Sequence, residues 1–155
     1  MGLEEAKAFV DGWVQREGAG RDRLLPLLHA VQDEIGYIDD ALVPAIAAAL
    51  NLSRADVHGV LTFYHDYRRQ PAGRHVVKLC RAESCQSRGG AAVEAAAAER
   101  LGVAMGETRR DGQVTLEPVY CLGLCAIGPN ALVDGRPVAR IDTAALDRIA
   151  AEVAA

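Results

Sequence analysis

The sequence lacks a long hydrophobic run, an excess of basic residues and a glycine-rich phosphate-binding loop. The apolar stretch from Ala41 to Leu50 is too short to cross a bilayer. The net charge of −4 gives no reason to expect nucleic acid or an anionic membrane surface as a partner. Gly18-Ala19-Gly20 does not follow a strand, as a dinucleotide-binding loop must. We therefore expect no membrane contact and no flavin, nicotinamide or molybdenum site on this chain.

The overall composition is typical of a folded globular protein, since half of the 155 residues are apolar and a quarter are charged. At the N-terminus, Glu4 and Glu5 precede any apolar core, which does not fit a secretory signal. We therefore expect the protein in the cytoplasm. In that reducing compartment, its four cysteines are more often ligands or catalysts than disulfide partners.

Four apolar stripes at helical spacing occupy the first seventy residues and are separated by turn residues. Ser53, with Asp56 three residues later, has the form of a capping box at the start of the fourth helix. Helices this short are weak alone, so we predict a small helical bundle over residues 1–70. The stripes are Leu3, Ala6, Val10 and Trp13; Leu24, Leu27, Leu28, Val31 and Ile35; Leu42, Ile46, Ala49 and Leu50; and Val57, Val60 and Leu61.

The pattern changes after the turn residues Gln70-Pro71-Ala72-Gly73. The segment His75–Leu79 predicts a strand that ends at Cys80, and Ala91–Leu101 predicts an alanine-rich helix. Asp142 can cap a last helix. With two hairpins between these helices, the order predicts a compact α+β domain over residues 71–155.

Both hairpins are predicted from Asp-Gly dipeptides between apolar strands. Asp111-Gly112 precedes the strand from Val114 to Val119, and Asp134-Gly135 joins Ala131–Val133 to Val138–Ile141. Asp-Gly is favoured where both turn residues need a positive φ. We therefore expect a tight two-residue turn at each dipeptide.

The chemistry of the chain is concentrated in two short cysteine segments, Cys80-x4-Cys85 and Cys121-x3-Cys125. Each segment follows a predicted strand, so we expect all four cysteines at strand ends or in loops, where a sheet can bring them together at one edge. Four thiolates satisfy a [2Fe–2S] cluster, with two on each iron. The natural assignment places Cys80 with Cys85 and Cys121 with Cys125.

Spacing alone leaves other kinds of site open. Structural zinc sites commonly include a tight Cys-x-x-Cys pair, and a thioredoxin-type redox centre requires one. Neither cysteine pair here has that spacing. An iron–sulfur cluster is therefore favoured over zinc, and thiol chemistry comes third.

Residues beside the cysteines offer three kinds of support for a cluster: close backbone approach with unusual φ, hydroxyl donors, and positive charge against the negative cluster. They are Gly123 and Gly128, Ser84 and Ser87, and Arg81 and Arg88, in that order.

Several motifs together resemble a known family. Phe63-Tyr64, Pro71–His75, the first cysteine pair, and Cys121-Leu122-Gly123-x-Cys125 followed by Gly128-Pro129 are similar to the thioredoxin-like [2Fe–2S] subunit of the NADH-oxidising module of respiratory complex I. Relatives occur in NAD-linked hydrogenases and in soluble NAD-dependent, molybdenum-containing formate dehydrogenases. The resemblance runs from Gly36 to the last helix. It implies a helical N-terminal bundle followed by a thioredoxin-like domain, with all four cysteines as cluster ligands.

Within that family, the segments Leu50–Ala55, Pro71–Cys80 and Gln113–Cys121 look most like the γ subunit of formate dehydrogenase. This resemblance implies a non-catalytic electron-transfer subunit. Formate would be oxidised at a molybdenum cofactor on a large subunit, and electrons would reach FMN on a flavin-binding iron–sulfur subunit that reduces NAD. Those cofactors would lie only on the partner subunits. The respiratory branch of the family often has Ala-Pro where this chain has Gly128-Pro129. This difference bears on which branch the chain resembles, and it does not affect the expected cluster.

Other functions remain as alternatives. The chain could be the equivalent subunit of an NADH:quinone oxidoreductase or of an NAD-linked hydrogenase. From other classes of protein, it could be a structural zinc module that recruits a partner, or a free-standing thiol oxidoreductase or ferredoxin.

Overall fold

The computed structural model describes residues 2–154 and divides the chain into two compact units, Met1–Pro71 and Ala72–Ala155. Each unit has its own buried apolar core. Within the described residues, no helix is long and apolar enough to span a membrane. The α+β class predicted from the sequence, with helices first and a sheet second, is confirmed.

The first unit is formed by four helices whose apolar faces meet in one core. Ser53 caps the fourth helix as predicted, because its hydroxyl accepts a hydrogen bond from the Asp56 N–H at 3.0 Å and the Asp56 carboxylate accepts one from the Ser53 N–H at 3.2 Å. Leu3, the first residue of the predicted stripes, is 40% exposed. The helices are α1 (Leu3–Glu17), α2 (Leu24–Ile35), α3 (Val43–Leu50) and α4 (Arg54–Phe63).

The second unit is built on a five-stranded mixed sheet with the strand order β2-β3-β1-β4-β5. Strands β1 and β3 pair in parallel, and the other neighbours are antiparallel. Helices α6 and α7 pack against each other and add apolar residues to the core of the sheet. The elements are β1 (His75–Cys80), α5 (Glu83–Ser87), α6 (Gly90–Leu101), β2 (Glu107–Thr108), β3 (Val114–Val119), β4 (Asn130–Val133), β5 (Arg136–Ala139) and α7 (Thr143–Glu152).

The two predicted hairpins are present, but only one has the expected turn. Asp134 and Gly135 both have a positive φ, 50° and 79°, as a tight two-residue turn requires. At Asp111-Gly112 only the glycine has a positive φ, 70°. The reason is a longer loop, since the Arg109 N–H donates to the Val114 carbonyl and closes the hairpin outside the dipeptide.

Candidate metal centre

The parallel pairing of β1 with β3 brings the two cysteine segments to one edge of the sheet. Cys80, the last residue of β1, is in register with Val119, the last residue of β3. The Arg81 N–H extends this pairing by donating to the Val119 carbonyl at 2.8 Å. Because the carboxyl ends of parallel strands meet at the same edge, the segment that begins at Cys121 lies beside Cys80.

The four cysteines differ in burial and in local structure. Cys80 and Cys85 are buried, with 5% and 1% of their surface exposed, whereas Cys125 is half-buried and Cys121 is exposed. Cys121 also has a positive φ of 70°, a conformation that is uncommon for a residue other than glycine.

Cys125 begins a one-turn 3-10 helix, Cys125–Ile127, and the expectation that all four cysteines lie at strand ends or in loops is clearly wrong for Cys85. This residue lies within the short helix α5. The N–H groups of Cys85 and Gln86 both donate to the Ala82 carbonyl at 3.0 Å, which closes a helical turn directly after β1. The turn carries the Cys85 side chain back to the buried edge of the sheet, beside Cys80.

The sulfur atoms of the second pair have the spacing of two ligands on one metal ion. The distance between Cys121 Sγ and Cys125 Sγ is 3.7 Å. Two sulfur ligands of a tetrahedral metal with bonds of about 2.3 Å lie about 3.8 Å apart. This pair therefore fits a tetrahedral metal without rearrangement.

The Cys80 thiol receives hydrogen bonds from both cysteine segments. Burial by itself raises the pKa of this thiol. The Ala82 N–H and the Cys85 thiol oppose burial by donating to the sulfur, and the N–H groups of Cys121 and Leu122 also donate to it. The result is a lowered pKa, so a thiolate at Cys80 is stabilised where the two segments meet.

The pKa values of the Cys85 and Cys125 thiols shift in the opposite direction. Burial raises the pKa of Cys85, and its contact with the Cys80 thiol adds to the rise, while the Asn130 backbone N–H opposes it. The hydrogen bond with Cys121 and the charge of that neighbour raise the pKa of Cys125. Each pair thus consists of two thiols in contact, and the two pairs also influence each other.

Each of the two glycines predicted to combine close approach with an unusual φ has one of these features: a Cβ at Gly123 would meet nothing within 4 Å, whereas one at Gly128 would be crowded. Gly123 has a positive φ of 76°. Gly128 has an ordinary extended backbone with φ −69°, and its peptide bond to Pro129 is cis. A Cβ at Gly128 would lie 3.2 Å from Cys85 Sγ, so the constraint at this position is space.

The predicted hydroxyl donors bond mainly to backbone carbonyls. Ser84 donates to the Cys125 carbonyl at 3.3 Å and also lowers the pKa of the Cys125 thiol, whereas Ser87 donates to the Ser84 carbonyl at 2.9 Å. The Arg81 guanidinium pairs with Glu94 of α6, with 2.9 Å between Nε and Oε2. The positive charge of Arg81 is therefore partly offset by its own neighbour.

One residue beside the cysteines, Asn130 at the start of β4, was not predicted from the sequence. Its side chain is nearly fully buried beside Cys85 and donates to the Leu124 carbonyl at 2.8 Å. The sequence does contain an indication of this role, because Asn130 is a single polar residue between Gly128-Pro129 and the apolar residues Ala131–Val133.

The donor set fits a two-iron cluster. Across residues 2–154, no three or more histidine, cysteine, aspartate or glutamate side chains are placed to hold a single metal ion. The four thiols are arranged in two contacting pairs at one sheet edge, which matches the two thiolates per iron of a [2Fe–2S] centre.

The fold and the paired cysteines together define a class of iron–sulfur protein. The sequence profile of the thioredoxin-like [2Fe–2S] ferredoxins matches residues 10–154. The chain therefore belongs to the thioredoxin-like [2Fe–2S] ferredoxin family, whose cofactor is a [2Fe–2S] cluster. Both the resemblance and the cofactor predicted from the sequence are confirmed at this level, and the zinc and thiol alternatives give way to iron–sulfur chemistry.

Individual relatives belong to NADH-oxidising complexes. The chain is 41% identical over 107 residues to the E subunit of NADH-quinone oxidoreductase from Escherichia coli (strain K12), covering 69% of this chain and 64% of that protein. It is 38% identical over 130 residues to the corresponding protein of Mycobacterium tuberculosis (strain CDC 1551 / Oshkosh), covering 84% of this chain and 50% of that protein. The chain thus spans less than two thirds of the length of these relatives.

A solved structure shows the same fold. The crystal structure of an NAD+-reducing [NiFe]-hydrogenase in the air-oxidised state matches 85% of this chain and 23% of the hydrogenase chain. The TM-score is 0.73 and the sequence identity is 23%. This likeness concerns the fold alone.

Proposed function

We propose that this chain is a non-catalytic electron-transfer subunit in which Cys80, Cys85, Cys121 and Cys125 hold one [2Fe–2S] cluster. Cys80 and Cys85 would bind one iron, and Cys121 and Cys125 the other. The observation that carries the proposal is the meeting of two thiol pairs at one sheet edge, in a chain of this family.

The residues of the chain bind the cluster, shield it and set its potential, and the cluster when bound accepts and donates single electrons. Buried Cys80 and Cys85 keep water from one side of the site. Cys121 is exposed, and 69% of the surface of the neighbouring Tyr120 is exposed as well. A redox partner can therefore approach the cluster on this side. The site is thus suited to passing electrons between partners.

The parent complex we propose is a soluble NAD-dependent, molybdenum-containing formate dehydrogenase. Its partners would be a flavin-binding iron–sulfur subunit, which carries FMN and binds NAD, and a large subunit with the molybdenum cofactor. The segments Leu50–Ala55, Pro71–Cys80 and Gln113–Cys121 support this assignment. We also propose the cytoplasm as its location, because four unpaired cysteines suit a reducing compartment.

A second parent complex is favoured by a specific observation. The 41% identity to the Escherichia coli NADH-quinone oxidoreductase protein supports the equivalent role in an NADH:quinone oxidoreductase. The cluster site would be the same in both complexes, and the electron donor or acceptor would differ on other chains.

The cluster is tested by electron paramagnetic resonance on the full chain, purified without oxygen and reduced with dithionite, with iron and zinc measured on the same sample. We expect an S = ½ signal and two irons per chain. Single Cys→Ser variants at the four positions should each reduce the iron content, and Ser87→Ala serves as a control, because the Ser87 hydroxyl donates to the Ser84 carbonyl and to no cysteine. Zinc in place of iron, without loss of metal to oxidation, would contradict the proposal.

The parent complex is tested by isolating the tagged chain with its partners from the source cells under anaerobic conditions. Formate-dependent NAD+ reduction and bound molybdenum are expected for a formate dehydrogenase. NADH oxidation by quinone would assign the chain to an NADH:quinone oxidoreductase, and hydrogen-dependent NAD+ reduction would assign it to a hydrogenase.

A further inference from the structure

Asn130 is one of two buried polar residues among residues 2–154, and it lies beside the cysteines. It is 2% exposed, and the other such residue, Thr115, is 5% exposed. Thr115 is satisfied within the sheet, because its hydroxyl accepts from the Gly73 N–H at 2.6 Å and pairs with Thr108 at 2.8 Å. The Asn130 amide is directed to the candidate metal centre instead.

The side-chain nitrogen of Asn130 joins the two cysteine segments. Nδ2 donates to the Leu124 carbonyl at 2.8 Å and lies 3.7 Å from Cys85 Sγ. A carbonyl oxygen can only accept, so the Leu124 contact requires the NH2 end of the amide to face it. The same orientation places an N–H donor against the Cys85 sulfur.

Packing does not account for a polar side chain at this position. The Asn130 Oδ1 atom is buried and has no hydrogen-bond partner within the described part of the chain. An unsatisfied buried oxygen is unfavourable, and an apolar side chain of similar volume would avoid that cost. The contacts of Nδ2 with Cys85 and Leu124 are therefore the features that an apolar residue would lose.

We propose that Asn130 is a positioning residue that raises the reduction potential of the cluster by donating an N–H to Cys85 Sγ. This inference rests on the proposed function. A hydrogen bond to a cluster sulfur stabilises the more negative, reduced state more than the oxidised state, so it shifts the potential upward. The bond to the Leu124 carbonyl holds the donor in place and ties the loop before Cys125 to Cys85.

The test compares the full, cluster-loaded chain with Asn130→Leu, which keeps the number and branching of the side-chain heavy atoms and removes the donor. The Asn130 backbone N–H, which also faces Cys85, remains in this variant. We expect the equilibrium constant for reduction to fall about tenfold, which is about 59 mV in a one-electron redox titration. Thr115→Val is the matched control, because it replaces the other buried polar residue without changing a contact to the cysteines.

The outcomes separate a redox role from a structural one. A potential unchanged in Asn130→Leu, even with faster loss of the cluster, would overturn the inference and leave the proposed function intact. An equal fall in the reduction potential of Thr115→Val would also overturn the inference. Absence of the cluster from the unmodified chain would instead refute the proposed function itself.

A second measurement covers the case in which Asn130→Leu does not retain its cluster. The chain has two asparagines, and Asn51 has a positive φ of 54°, so Asn51→Gly is compatible with its backbone. In that variant, asparagine labelled with 15N in the side chain reports on Asn130 alone. Pulsed electron paramagnetic resonance of the reduced protein should detect coupling to this nitrogen, and a spectrum without it would contradict the N–H···S contact.

Discussion

At the candidate metal centre, the atoms around Gly128 leave little room for a side chain. A Cβ at this position would lie 3.2 Å from Cys85 Sγ and 3.4 Å from Cδ of Arg88. Its φ of −69° is one that alanine adopts freely. A change at Gly128 therefore probes the room beside the sulfur, without added backbone strain.

We expect Gly128→Ala to lower the iron content and to speed cluster loss, because Cys85 or Arg88 must move. The free energy of unfolding should fall by about 1–3 kcal/mol, as for other overpacked sites. The measurements are iron per chain, the rate of bleaching in air, and urea unfolding.

Gly59→Ala is the control for this prediction, because a Cβ at this helical glycine in α4 would meet nothing within 4 Å. It should leave iron content unchanged and stabilise the helix by up to about 1 kcal/mol. Equal iron content and equal bleaching rates in Gly128→Ala and the unmodified chain would show that close approach at Gly128 is not needed.

At the residue scale, the meeting of the two cysteine segments at one sheet edge was predictable, because each segment follows a strand in the sequence. The sequence did not reveal the positive φ of Cys121 or the buried amide of Asn130. Both depend on which backbone groups lie nearby after folding, and spacing along the chain carries no information about them. The space constraint at Gly128 was anticipated, but its expected unusual φ was wrong.

Among the elements of the second unit, the β4–β5 hairpin is fastened to the start of β1 through Asp134. Its carboxylate is 2.8 Å from His75 Nδ1 and accepts the Val76 N–H at 2.8 Å. Burial raises the pKa of Asp134, but these two hydrogen bonds, together with the charges of His75 and Arg136, outweigh burial and the pKa is lowered. A carboxyl whose pKa is lower in the folded state stabilises the fold above its unfolded pKa, and that stabilisation is lost as the pH falls.

Asp134→Asn should therefore reduce stability at pH 7, by about 1 kcal/mol for a partly exposed pair. Asparagine tolerates the positive φ of this turn, so the backbone should stay unchanged. The difference from the unmodified chain should shrink as the pH falls through and below 3.8, the ordinary pKa of an aspartate. Urea unfolding across that range measures it, and a difference that stays constant with pH would contradict this account.

Long elements were predicted well because their hydrophobic periodicity extends over two or more turns or over a full strand. The two-residue strand β2 and the five-residue helix α5 are too short to show a period. The prediction of a two-residue turn at Asp111-Gly112 is wrong, because the hydrogen bond from the Arg109 N–H to the Val114 carbonyl closes a longer loop.

At the scale of the whole molecule, the two units have separate cores, one in Met1–Pro71 and one in Ala72–Ala155. We propose that residues 1–70 and 71–155 are separate domains. All four cysteines and the contacts of their sulfur atoms lie in the second unit. Contacts within this chain do not identify the parent complex, because the substrate and flavin sites of that complex would lie on other chains.

A fragment of residues 71–155 should consequently bind two irons and give the same reduced spectrum as the full chain. A fragment of residues 1–70 should be helical by circular dichroism and bind none. Iron analysis and electron paramagnetic resonance of both fragments measure this. If the 71–155 fragment is unfolded while the full chain carries the cluster, the two units are not independent domains.

The parallel pairing of β1 with β3 also bears on how the protein is made. Residues 81–113 lie between the two strands, so Cys80 leaves the ribosome well before Cys121 does. Pairing over such a separation forms late, because the intervening chain must first be closed into a loop. Iron delivered before that point would find only the first thiol pair. All four thiols are therefore together only after β1 and β3 have paired, so we expect cluster insertion to follow closure of the sheet.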